Sequence, residues 1–91
     1  MVPKSSRSHE SLFPWAVDLG AQIRRKRKVL RLTQKELADL SNCGSDFLYD
    51  LERGKPTVRL DKLMAVLEVL GLKLKLESRA PSYGAPGPVK S

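Results

Sequence analysis

The sequence predicts a mainly α-helical domain of four to five helices that closes with one β-strand. Three observations predict it. A capping box opens at Thr33, apolar residues recur at helical spacing on both sides of it, and after Gly71 the pattern switches to strict alternation. The chain has 91 residues, enough for one small domain and too few for a pair of nucleotide-binding units or a barrel. A domain of that size buries a limited fraction of its surface and often gains stability from a partner or a second copy.

Residues 1–13 are polar, with Pro3 and several serines, and are expected to form a flexible N-terminal arm. The folded domain is expected over residues 14–78. Its first helix begins between Pro14 and Asp18 and runs to Leu30; a proline suits the first turn, where its missing N–H has no partner to lose. Trp15, Leu19, Ile23 and Leu30 make an apolar stripe that Arg27 interrupts. An arginine on such a stripe needs a partner, because an unpaired buried charge is costly. In the second helix Thr33-Gln34-Lys35-Glu36 forms the capping box: the Thr33 hydroxyl accepts from the Glu36 amide and the Glu36 carboxylate reaches back to Thr33. Leu37 and Leu40 are expected to point inward, and Ala38 is small enough to admit a neighbouring helix.

Ser41-Asn42-Cys43-Gly44 reads as a turn, with Asn42 left-handed. A third helix follows from about Ser45 to Arg53, with Phe47, Leu48 and Leu51 apolar; Gly54 stops it and Pro56 prevents its resumption. A fourth spans roughly Leu60 to Leu70, with Leu60, Leu63, Met64, Leu67 and Leu70 on one face, Val66 and Val69 widening it, and Gly71 ending it. Leu72-Lys73-Leu74-Lys75-Leu76-Glu77 then alternates as a half-buried strand does. The chain offers no second strand, and a lone strand leaves its backbone groups unpaired. Pairing with the same strand of a second copy, through the face of Leu72, Leu74 and Leu76, resolves this and predicts a two-fold homodimer. Residues 79–91 hold three prolines and two glycines without periodicity and read as a disordered tail.

Composition narrows the function. There are 17 Lys plus Arg against 10 Asp plus Glu, a formal net charge of +7. Arg24, Arg25, Lys26, Arg27, Lys28 and Arg31 fall in one stretch without an acid, an electrostatic footprint for an anionic partner. The one cysteine, Cys43, excludes an intramolecular disulfide and a Cys-rich zinc site, and the one histidine, His9, sits in the polar N-terminal stretch as a surface residue. No nucleophile–base pair, metal cluster or phosphate-cradling glycine loop is visible, so neither an enzyme nor a cofactor is expected. No apolar run approaches the roughly 20 residues of a membrane span, and the N-terminus lacks the apolar core of a secretion signal; the expectation is a cytoplasmic protein.

A short capped helix, a tight turn and a second short helix make a helix-turn-helix unit. Leu32-Thr33-Gln34-Lys35-Glu36-Leu37-Ala38 followed by Leu51-Glu52-Arg53-Gly54-Lys55 resembles the two blocks of the XRE or lambda-repressor-like helix-turn-helix family, over about residues 19–71. Within it, Gly54-Lys55-Pro56-Thr57-Val58-Arg59-Leu60-Asp61-Lys62-Leu63 and the single C-terminal strand resemble the HipB-like antitoxin branch. That resemblance implies a lambda-repressor-like bundle, an intersubunit sheet, repression of its own operon and binding to a HipA-type serine/threonine kinase toxin. It also implies site roles. Gln34 matches the family's phosphate-contacting glutamine, Thr33 adds its amide or hydroxyl, and Arg53 and Lys55 match further backbone-contact positions. Base readout is expected from the outward positions of the third helix, namely Ser45, Asp46 and Tyr49, with Asp50 expected to pair with a nearby base such as Arg53. Two acids there depart from common family members. Arg27 and Glu52 stand where the family has a buried salt bridge. Cys43 occupies a turn position that holds a small packed residue, Trp15 reads as an anchor of the core or of a dimer interface, and the Arg24–Lys28 run is shared between DNA phosphate, an acidic partner and water.

The resulting expectation is a homodimeric bacterial repressor on a palindromic operator, with half-sites about one or two helical turns apart, doubling as the antitoxin. A stand-alone regulator without a toxin, and a protein-sequestering module with weak DNA binding, are the alternatives.

Overall fold

A computed structural model describes residues 13–83. His9, the expected N-terminal arm up to residue 12 and residues 84–91 of the expected tail lie outside the described residues. Four helices are present: α1 (Pro14–Val29), α2 (Gln34–Leu40), α3 (Ser45–Glu52) and α4 (Leu60–Leu70). Pro14 stands in the first turn of α1. Both α1 and α2 pack against α3 and α4. The core gathers Ile23 of α1, Leu37 and Ala38 of α2, Leu48 and Leu51 of α3, and Leu63, Val66, Leu67 and Leu70 of α4.

All four helices stop in the same way. Near each helix end an amide bonds back to the carbonyl five residues earlier: Leu32 to Arg27, Cys43 to Ala38, Lys55 to Asp50 and Leu72 to Leu67. This closure places one residue in the left-handed region each time. Those residues are Arg31 (φ 60°), Asn42 (57°), Gly54 (93°) and Gly71 (74°). Glycine takes that conformation freely and asparagine tolerates it, whereas Arg31 does so at a steric cost. Leu32, Cys43 and Leu72, the residues just beyond three of these stops, fold back onto the core. At the fourth the equivalent contact is electrostatic, Lys55 Nζ lying 3.5 Å from Asp50.

Several expectations need correction. The strand is not formed: residues 72–80 have no regular secondary structure, and the described residues contain no strand. Leu72 is half-buried, but Leu74 and Leu76 are 45% and 99% exposed. The physical reason is that a ladder needs a second backbone, and the described residues do not supply one. Leu40 is exposed rather than inward, since the buried face of α2 is centred between Leu37 and Ala38. On α4 the buried face turns towards Val66, leaving Leu60 and Met64 exposed at its edge; Met64 lies roughly 100° around the helix from Leu63. Trp15, 56% exposed, and Leu30 are likewise outside the core. No helix among the described residues is long and apolar enough to cross a membrane.

Gly20 had no evident role in the sequence. A Cβ there would lie 2.7 Å from the Glu52 carbonyl oxygen and closer still to that of Leu51. Only glycine lets α1 cross this near the end of α3, and that crossing is what brings Arg27 to Glu52.

Candidate nucleic-acid interface

The interface begins with the capping box. Glu36 N donates to Thr33 Oγ1 at 3.0 Å, and Thr33 N donates to Glu36 Oε1 at 2.8 Å. Thr33 is exposed and starts α2 at a fixed position.

Beneath it lies a polar network. Arg27 Nε donates to Glu52 Oε2 at 2.7 Å and Arg27 Nη2 to Glu52 Oε1 at 2.9 Å, a two-pronged pair between α1 and α3. Arg27 Nη1 donates to the Leu32 carbonyl at 2.8 Å. Gln34 Nε2 also donates to Glu52 Oε1, at 3.0 Å. One buried carboxylate therefore accepts from two helices and fixes the start of α2 relative to α3. The hydrogen bonds it donates to Glu52 raise the Arg27 pKa above its ordinary value, outweighing the opposing effect of burial. Nothing in the linear sequence signals the Gln34–Glu52 bond, because the two residues are 18 positions apart.

On α3, Ser45, Asp46 and Tyr49 are exposed and Asp50 is half-buried. Asp46 sits in the first turn, where a carboxylate is favourable to the helix. Asp50 pairs with Lys55, not with Arg53. The Arg53 guanidinium instead lies 5.2 Å from the centre of the Tyr49 ring. Thr33, Gln34, Tyr49 and Arg53 line one concave surface together with Arg24 and Lys28 of α1. The sequence marked the α1 run as basic without saying which of its members face this surface. Helical phase relative to Ile23 and Arg27 is the signal that separates them, since Arg24 and Lys28 are four apart and flank the buried stripe.

Leu72, Leu74 and Leu76 lie apart from this concavity, on the segment after α4. Cys43 packs against the core, and burial pushes its thiol pKa up, with Lys62 opposing. A raised pKa disfavours the reactive thiolate.

A capped α2, a tight turn and an α3 whose outer side meets Arg24 and Lys28 of α1 and Arg53 at its own end define a helix-turn-helix unit for DNA. Residues 18–80 match a family model described as a helix-turn-helix domain, and the chain belongs to that family. It is 42% identical over 59 residues to the uncharacterized HTH-type transcriptional regulator y4mF of Sinorhizobium fredii (strain NBRC 101917 / NGR234), a match that spans 65% of this chain and 78% of that protein.

Proposed function

We propose that this helix-turn-helix transcriptional regulator is a sequence-specific repressor that binds a palindromic operator as a homodimer. The observation that carries the reading is the concave surface on which Thr33 and Gln34 at the start of α2, Tyr49 and Arg53 on the outer side of α3, and Arg24 and Lys28 of α1 converge. Phosphate contacts supply most DNA affinity and require cations and amides in register with the backbone; base edges are read by the helix between them. Thr33, Gln34, Arg53 and Lys55, with Arg24 and Lys28, face phosphate. Ser45, Asp46 and Tyr49 face the major groove, where an aspartate accepts from the cytosine amino group. Arg27 and Glu52 hold α3 in place and read nothing.

The dimer forms through the segment of Leu72, Leu74 and Leu76, whose alternation and exposure support pairing with a second copy. Pairing of that kind gives each backbone the partner that one chain lacks. The resemblance of Gly54–Leu63 to the HipB-like branch supports the antitoxin role: the dimer sequesters a HipA-type serine/threonine kinase toxin and represses its own operon, acting in the bacterial cytoplasm on the nucleoid.

Titration of the full chain against its own upstream region at two salt concentrations tests the repressor. The expected result is a preferred palindrome and a steep loss of affinity with salt. Equal weak binding to scrambled DNA would overturn it. Co-purification with a kinase encoded next to it tests the antitoxin role, and absence of a complex would reduce the protein to a stand-alone regulator.

A further inference from the structure

We propose that Arg31, at the stop between α1 and α2, binds a DNA phosphate and is kept for that contact at a cost to the fold. The inference rests on the DNA-binding reading above and adds a contact residue outside the helix-turn-helix unit. Three observations support it. First, the four helix stops share one backbone closure, and three of them use residues that adopt it cheaply, Asn42, Gly54 and Gly71. Arg31, at φ 60°, is the exception. The closing bond, from the Leu32 amide to the Arg27 carbonyl, is main-chain and would form equally with asparagine or glycine at position 31. The dipole of α1 does not call for this arginine either, since Lys26, Arg27 and Lys28 already stand in its last turn. Secondly, Arg31 is exposed and its charge has no partner among the described residues. The ion pairs there draw their cations from Arg27, Lys35, Lys55, Arg59 and Lys75. Thirdly, Arg24 and Lys28 are one turn apart on α1, and Arg31, just beyond its end, is the next position at that spacing. Arg24 and Lys28 line the concave surface with Thr33 and Gln34. Arg31, two residues before Thr33, prolongs their row.

Phosphate is the ligand chemistry that fits. Arg31 lies outside α3, the helix that meets base edges in this class of fold, so the duplex backbone is what it can reach. A guanidinium grips phosphate through parallel N–H donors. A DNA strand presents a phosphate about every 3.4 Å of helix axis, so cations one helical turn apart can follow it. Strained backbone concentrates at binding sites, where a function offsets its cost. Here the strain is present in the free protein and the contact forms only on DNA. Replacing the arginine should therefore raise stability and lower DNA affinity together. A merely solvated arginine would change the first alone.

The test uses the full chain, a duplex from its own upstream region and a scrambled duplex. Arg31→Asn should raise the thermal midpoint by roughly 3–5 °C. It should weaken binding to both duplexes alike, about fivefold at low salt, and reduce the salt slope by about one for each protomer bound. Arg31→Lys keeps the charge and the steric cost, so its midpoint and slope should stay near those of the wild type. Arg25→Asn removes a charge from the same stretch at a residue that does not line the concave surface, and should leave the slope unchanged. An unchanged slope in Arg31→Asn, an equal loss in Arg25→Asn, or a midpoint that does not rise would overturn this inference and leave the repressor reading intact. Wild-type binding that is weak and indifferent to salt on both duplexes would overturn both.

Discussion

Two regions of this molecule each carry a local contradiction, and they resolve it differently. In α1 an arginine interrupts an apolar stripe. In the segment after α4 three leucines alternate with charges on a backbone that has nothing to pair with. The arginine finds its partner inside the chain: Glu52, Gln34 and the Leu32 carbonyl all bond within the same network. The leucines do not, and Leu76 is 99% exposed. A side chain needs one well-placed neighbour, which tertiary packing supplies. A strand needs a whole second strand, which the described residues lack. The first region is therefore complete within one chain, and the second is left unfinished among the described residues.

The largest effect should come from breaking the complete region. Glu52→Ala leaves Arg27 buried without its partner and should cost roughly 3–5 kcal/mol in denaturant unfolding. The double variant Arg27→Met with Glu52→Leu should recover most of that loss, because the penalty lies in the orphaned charge rather than in the missing bond. If the double variant is as unstable as the single one, the network does more than satisfy itself. Gly20→Ala should come next, at about 1–3 kcal/mol, by forcing α1 away from the Leu51 and Glu52 carbonyls. Its thermal midpoint measures this, and an unchanged midpoint would show that the crossing tolerates a methyl group.

The unfinished region is addressed by truncation after Gly71. This should leave the helical circular dichroism intact and halve the mass seen in sedimentation; an unchanged mass would remove the ribbon from the dimer. The smallest effect expected is Thr33→Ala, which deletes one half of the capping box and should cost about 1 kcal/mol by thermal unfolding. That loss should add to the Gly20 effect, since the two sites share no hydrogen-bond partner.

Much of the helical frame was legible. The capping box, Asn42, Gly54 and Gly71 are punctuation that acts over three or four residues, and each works where the sequence places it. Arg31 was not legible, although it ends α1 by the same backbone closure, because an arginine carries no signal for a left-handed residue. Burial was only partly legible. Leu40, Leu60 and Met64 look like core by type, and stand outside it because short helices present a narrow face to their neighbours. Within the candidate interface, residue types and helix ends pointed to Thr33, Gln34, Ser45 and Tyr49. The Gln34–Glu52 bond, the turning of Arg53 onto Tyr49 and the choice of Arg24 and Lys28 from a run of cations were hidden.

The sequence by itself determined where the helices start and stop and that the chain meets an anion, because caps, breakers and charge act locally or through simple summation. Tertiary structure alone decided which side chains share a surface, which carboxylate serves three donors and how close α1 comes to α3. Those outcomes depend on the relative placement of elements distant along the chain, and on a glycine whose importance appears only when another backbone lies against it.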